Sequence, residues 1–211
     1  MLAPDNFKDV DYEWKTLGEI GNFIRGNGIQ KKDFTQDGVG CIHYGQIYTY
    51  YGVYTNKTKS FVSESIARGS KMANKNDLVV AITSENLEDV CKSVAWLGNS
   101  SIAISGHAAI FKHNQSPKYI SYYFNTDNFF NQKKKYARGA KVIEISPNNL
   151  SKIRIPLPPL EIQERIVSIL DKFDALVNDI SQGLPAEIAA RRKQYEYYRE
   201  KLLTFKKLEN E

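Results

Sequence analysis

The chain has 211 residues, of which 42% are apolar, so a packed core is within reach, in one ordinary domain with an appendage or two small ones. Charged residues make up 25%, which excludes general disorder, and the net charge of +5 with a pI near 9.0 suits a nucleic-acid partner without requiring one. Cys41 and Cys91 are isolated, with no CxxC or CxxH nearby, which excludes a disulfide framework and a structural zinc site and leaves two small buried apolar residues.

The first residues lack the basic and apolar regions of a secretory signal, and no apolar run is long enough to span a bilayer. The expected compartment is therefore the cytoplasm, with no membrane contact. Residues 1–157 read as one mixed α and β segment. Its first feature is Arg25–Asp33, where Gly-Asn-Gly suits a loop with positive φ. Arg25, Asn27, Gln30, Lys31 and Lys32 are nominated there for a duplex. His43-Tyr44-Gly45-Gln46 then opens a tyrosine-rich run to Tyr54. Tyr44 can bond a phosphate and Gln46 can pair with an adenine edge through two hydrogen bonds, while the same tyrosines also suit a half-buried strand.

Asp77–Thr83, Ser93–Leu97, Ile102–Ser105 and Ala108–Lys112 are expected strands, rich in Val, Ile and aromatic residues and punctuated by Gly98, Asn99 and Gly106. Thr83-Ser84-Glu85-Asn86 closes the first of them with four polar residues, which nominates Ser84 and Asn86 as reading positions. His107 fits a surface role or a DNA contact. Ser116-Pro117 has the N-cap and N1 chemistry of a helix start, and Asp127 can cap a second helix through FFNQKKKYA. Phe129–Lys141 holds Lys133, Lys134, Lys135, Arg138 and Lys141 with no acid. Three consecutive lysines cannot share one helix face, so some are only solvated. Gly139 would let the backbone approach a phosphate. A short helix at Ser146-Pro147 and a last strand over Lys152–Pro156 complete the segment.

Pro158-Pro159 stops that strand and opens the second segment, 158–211. Ile162, Ile166, Ile169, Phe173, Leu176 and Ile180 alternate at spacings of four and three, a heptad seam suited to a helix from another chain or to the chain's own domain. Gly183-Leu184-Pro185 interrupts the helix, and Ile188, Tyr195, Tyr198, Leu202 and Phe205 continue a similar rhythm. A hairpin and one bent rod both fit.

Catalytic signatures are missing. There is no phosphate loop, no dinucleotide fingerprint after Gly26-Asn27-Gly28, no amide or acid before paired prolines as in an adenine methyltransferase, and no HExxH or GxSxG. The residues nominate neither a catalytic nor a metal site.

Read from end to end, RGNGIQKKDF, IHYGQIYTYYG, NDLVVAITSEN, VAWLG, ISGHAAIFKH, FFNQKKKYARGAKV and IPLPPLEIQERIV resemble, in this order, the specificity subunit of type I restriction-modification enzymes. The resemblance covers residues 12–205, and IPLPPLEIQERIV is its most specific part. It implies an α+β fold, with a globular target-recognition domain over 1–157 and a long helical, coiled-coil region over 158–211. It further implies a non-catalytic subunit that reads one half of a split double-stranded DNA target and docks modification and restriction subunits. S-adenosylmethionine, ATP and magnesium would belong to those partners, none to this chain. The usual subunit carries two recognition domains and two helical regions; this sequence shows one of each, which is expected either of a half-length subunit that pairs as an antiparallel homodimer or of a fragment of a longer chain. The alternative is a coiled-coil interaction or regulatory module that reads no sequence.

Overall fold

The computed structural model describes residues 11–179 and 185–204. β1 (Glu13–Thr16) leads into α1 (Leu17–Ile20), whose start is closed by a capping box: the Thr16 hydroxyl accepts from the Glu19 N–H and the Glu19 carboxylate accepts from the Thr16 N–H. β2 (Gly21–Arg25), a single 3-10 turn (Lys31–Asp33), β3 (Phe34–Thr35), β4 (Val39–Ile42), α2 (Tyr44–Thr49), β5 (Tyr54–Thr55), β6 (Ser60–Val62), α3 (Glu64–Arg68) and β7 (Lys71–Ala73) follow. The expected apolar strands form as β8 (Leu78–Ala81) with a short continuation β9 (Thr83–Ser84), β10 (Ser93–Trp96), β11 (Ile102–Ile104) and β12 (Ala108–His113). α4 (Pro117–Tyr123), α5 (Asp127–Lys133), β13 (Ile143–Glu144), α6 (Pro147–Leu150), β14 (Arg154–Leu157), α7 (Leu160–Asp179) and α8 (Pro185–Leu203) follow among the described residues. Two local expectations change. The cap of α5 is Thr126, whose hydroxyl accepts from the Phe129 N–H, with Asp127 inside the first turn. The start of the tyrosine-rich run is the helix α2, capped by the His43 imidazole, instead of a strand.

Two five-stranded sheets carry the fold, in the orders β2-β12-β8-β10-β5 and β3-β6-β4-β11-β7. Side chains alternate along β8 and β12 because successive residues of a strand point to opposite faces. Val79, Ala81, Ala108 and Ile110 meet Ile42, Ala73, Ile102 and Ile104 of the other sheet in a buried layer between the two. Leu78, Val80, Ile82, Ala109 and Phe111 face the helices and form the larger core with Tyr119, Ile120, Tyr122, Tyr123 and Phe129. Beyond the second sheet, Cys41, Val62 and Ala103 pack on Ile29 and Ala67. Both free thiols are buried, and burial pushes each up to about 12, so they are protonated and inert.

The two expected segments share one core. Ile166, Val167 and Leu170 of α7 and Leu202 and Leu203 of α8 lie in the same cluster as Tyr119 and Ile120. Polar bonds fix the docking. The fully buried Gln163 amide accepts from the Ser116 N–H at 3.1 Å and donates to the Pro158 carbonyl at 2.9 Å and to Gln115 at 2.8 Å. Asp171 accepts from Lys118 at 2.6 Å and from the Tyr122 hydroxyl at 2.8 Å. α8 returns along α7. Phe173 stacks on Tyr198 with ring centres 5.3 Å apart, and Leu202 and Leu203, further along α8, join the earlier α7 residues Ile166 and Leu170. The two helices therefore pair antiparallel within one chain.

That pairing corrects the first part of the proposed inter-chain seam. Ile166 is 1% exposed, Ile162 and Ile169 pack half-buried against the helix-side core, and Phe173 is covered by Tyr198. The physical reason is stripe width. Gln163, Val167 and Leu170 also face inward, so the buried face is broader than two positions per heptad and matches a helix lying on its own domain. The side chains of Leu176 and Ile180 lie outside the described residues. Among the described residues no helix is long and apolar enough to cross a membrane.

Candidate nucleic-acid interface

Segments far apart in sequence converge at one rim of the sheets. β2 ends at Arg25, and the chain then crosses the 104–108 turn: the Gly26 N–H donates to Ala108 and the Asn27 N–H to Ile104. Gly26 is required by this close crossing, since a Cβ there would sit 2.3 Å from the Ser105 carbonyl oxygen. Positive φ falls instead at Gly28, at +67°. Tyr44, at the start of α2, donates its N–H to the Ser105 hydroxyl and sets its ring 5.1 Å from that of His107. The Tyr48 hydroxyl bonds the Thr83 carbonyl, tying α2 to β9. β9 pairs with β13, with Ile143 opposite Ser84 and Glu144 opposite Thr83.

Ion pairing locks the rim. Arg25 donates through Nε to the Gly106 carbonyl at 3.1 Å and through Nη1 to Glu144 at 2.9 Å. The Glu144 backbone is bridged to Arg138 in both directions, at 2.8 and 3.0 Å. Between them the chain turns through Gly139, whose φ is +105° and where a Cβ would lie 1.9 Å from the Val142 carbonyl oxygen. The glycine is thus demanded by the turn itself. Lys141 and Val142 stand exposed on this turn, Val142 at 56%.

Of the nominated residues, Arg25, Lys31, Lys32, His107, Arg138 and Lys141 are exposed cations or imidazole, and Lys134 and Lys135 are exposed just beyond α5. Lys31 is near enough to His43 to act on it. Burial first, then the charges of Lys31 and His107, hold the His43 imidazole below its ordinary value. Gln30 is exposed, and its N–H is taken by Asp33. Tyr44 is half-buried on the rim.

Five of the nominated residues are engaged within the fold. Lys133 is 3% exposed, and its Nζ donates to the Glu88 and Val90 carbonyls, so it pins α5 to the 88–90 turn and cannot reach a phosphate. Gln46 has both amide ends engaged: it accepts from the His43 N–H and donates to Ser60 at 2.6 Å. Asn27 likewise donates to the Gly69 carbonyl and accepts from the Lys71 N–H, bracing one loop against another. Asn86 closes on Asp89 through both its amide nitrogen and its oxygen. Ser84 is 8% exposed inside β9. The amides of Asn27, Gln46 and Asn86 each commit one donor and one acceptor to the fold, which fixes their planes and leaves one N–H and one lone pair on each.

Glu144 was missed. Its signal was faint: it is the first acid after the acid-free run ending at Lys141, but its partner Arg25 lies 119 residues earlier. Gln163 and Asp171 were missed as docking residues because polar residues on a helix read by default as solvent-facing. Among the described residues no three His, Cys, Asp or Glu side chains gather as a metal site would require.

A family model described as the type I restriction modification DNA specificity domain matches residues 9–190. The chain is 32% identical over 206 residues to the specificity subunit of the Escherichia coli type I restriction enzyme EcoR124I/EcoR124II, covering 97% of this chain and 51% of that one. It is 52% identical over 69 residues to a putative type I restriction enzyme specificity subunit of Haemophilus influenzae, covering 33% of this chain and 18% of that one. The chain thus spans about half the length of the E. coli relative. Its fold resembles the crystal structure of the HsdS subunit from Thermoanaerobacter tengcongensis, with a TM-score of 0.57 at 18% identity, over 93% of this chain and 46% of that one. Two mixed sheets with a docked helical pair agree with the fold match, and the chain belongs to the type I restriction-modification DNA specificity domain family.

Proposed function

We propose that this chain reads one half of a split double-stranded DNA target for a type I restriction-modification enzyme and has no catalytic role itself. The observation that carries the reading is the convergence of Arg25, Lys31, Tyr44, His107, Arg138 and Lys141 from five separate segments onto one rim. Such a rim offers cations for phosphates and aromatic and guanidinium groups for base edges. Residues 1–157 form the reader and 158–211 the docking segment in this proposal. Modification and restriction subunits supply S-adenosylmethionine, ATP and magnesium chemistry, and the complex works in the cytoplasm.

The second half-site needs a second reader, because half-site symmetry mirrors protein symmetry. An antiparallel homodimer supplies it, or a further stretch of the same polypeptide does. Since α7 buries its proximal stripe on its own domain, any coiled-coil contact falls to the distal part of the helical pair, beyond Phe173. Support comes from the length of the relatives, about twice the matched span. The test is single-molecule sequencing of methylated adenines in cells expressing this chain with its modification subunit. A split motif is expected, palindromic for the homodimer and with unlike halves for a single longer chain. Methylation with no sequence preference would favour the non-reading interaction module.

A further inference from the structure

Arg25 differs from the other rim cations in being held. Nε and Nη1 are bonded to the Gly106 carbonyl and to Glu144, while Nη2 donates to no group among the described residues. Two of its five N–H donors are engaged, so three remain, both hydrogens of Nη2 among them. The side chains of the pair are 46% and 40% exposed, so the free donors reach solvent. Glu144 is itself fixed through its backbone bridge to Arg138 and the pairing of β13 with β9. The guanidinium is therefore oriented from two sides by groups anchored on different segments.

Charge decides what such a fork takes. The carboxylate 2.9 Å from Nη1 cancels most of the attraction for a phosphate and would repel it at short range. Directional donors survive that cancellation. The ligand suited to a forked donor in a locally neutral pair is an uncharged pair of acceptors, and on a DNA edge that is O6 and N7 of guanine in the major groove. Lys141 and Lys134, exposed and without a carboxylate partner among the described residues, are suited to phosphates instead.

Resting on the DNA-reading proposal above, we infer that Arg25 reads a guanine in the half-site and that Glu144 is the positioning residue that aims it. Arg25 is the specificity determinant; Glu144 acts through it without touching DNA. Lysine at position 25 keeps the charge and loses the fork.

The experiment uses the full chain assembled with its modification subunit and a library of duplexes varied one base pair at a time, with binding measured across salt concentrations. The wild-type assembly selects a defined sequence. Arg25→Lys and Glu144→Gln relax discrimination at one G·C pair by about 10- to 100-fold while leaving other positions unchanged. Arg25→Ala does the same with little change in salt slope, whereas Lys141→Ala lowers the slope by about 0.9 with base preference intact. Full selectivity in Arg25→Lys overturns the inference, and a slope loss of about 0.9 in Arg25→Ala overturns it by making Arg25 a phosphate contact. Selectivity unchanged in Glu144→Gln overturns the positioning role. A wild-type assembly that selects no sequence overturns the DNA-reading proposal itself, and this inference with it.

Discussion

Replacing Lys133 with methionine separates a surface cation from a structural one. Methionine keeps most of the stem and removes the donor. Lys133 is 3% exposed and its Nζ lies 3.1 Å from the Glu88 carbonyl oxygen and 2.6 Å from that of Val90, so the substitution strands two acceptors. The stranded carbonyl of buried Val90 costs ~1–3 kcal/mol and that of the exposed Glu88 less, partly offset because the ammonium no longer has to be desolvated. Burial already holds the Lys133 pKa below its ordinary value, which shows that this desolvation is the largest electrostatic influence on the group. The net loss is therefore roughly 1–3 kcal/mol, or about 2–12 °C in Tm for a chain of this size. Thermal and urea unfolding measure it, and a salt titration of DNA binding in the assembled complex supplies the second axis. The expected result is a less stable protein with an unchanged salt slope. Wild-type stability together with a slope lowered by about 0.9 would refute the assignment and return Lys133 to the DNA surface.

Three further substitutions test other parts of the structure. His113 is pushed down to about 4 by burial, from an ordinary value of 6.5, against a raising influence from Asp77. It stays neutral in the folded state while the unfolded chain takes up a proton below 6.5, so stability falls as pH drops from 6.5 to about 4 and then levels. The full contribution is on the order of 3 kcal/mol; urea midpoints at stepped pH should show the slope, and His113→Gln should flatten it. Leu170→Ala, at a fully buried α7 position, should cost ~2–5 kcal/mol in urea unfolding. A cost below ~0.5 kcal/mol would mean that α7 does not dock on the helix-side core. Gly139→Ala places a Cβ against the Val142 carbonyl in a left-handed turn. It should weaken DNA binding more than global stability, read by duplex titration and Tm; unchanged affinity would remove the 138–144 turn from the interface.

Local structure was legible wherever one residue type forces it. A short run such as Leu-Val-Val-Ala, β-branched and bounded by turn residues, suits a strand buried on both faces, and β8 and the first four residues of β12 are buried on both faces. Ser-Pro pairs marked the starts of α4 and α6. The order of motifs along the chain resembles the specificity-subunit family. The seam was misread because the heptad count took Ile162, Ile166, Ile169 and Phe173 and passed over Val167 and Leu170, which widen the buried face.

By itself the sequence determined the alternation of strands and helices, the basic balance and the family, because these depend on residues close in the chain. Only the tertiary structure decided which polar side chains are free. Lys133 and Lys134 are neighbours of identical chemistry, yet one is enclosed by the 88–90 turn and the other is open to solvent. Arg25 and Glu144 meet across 119 residues, a distance no local pattern encodes. A donor's availability depends on what the fold brings against it, and that is settled by long-range packing, not by the residue's identity.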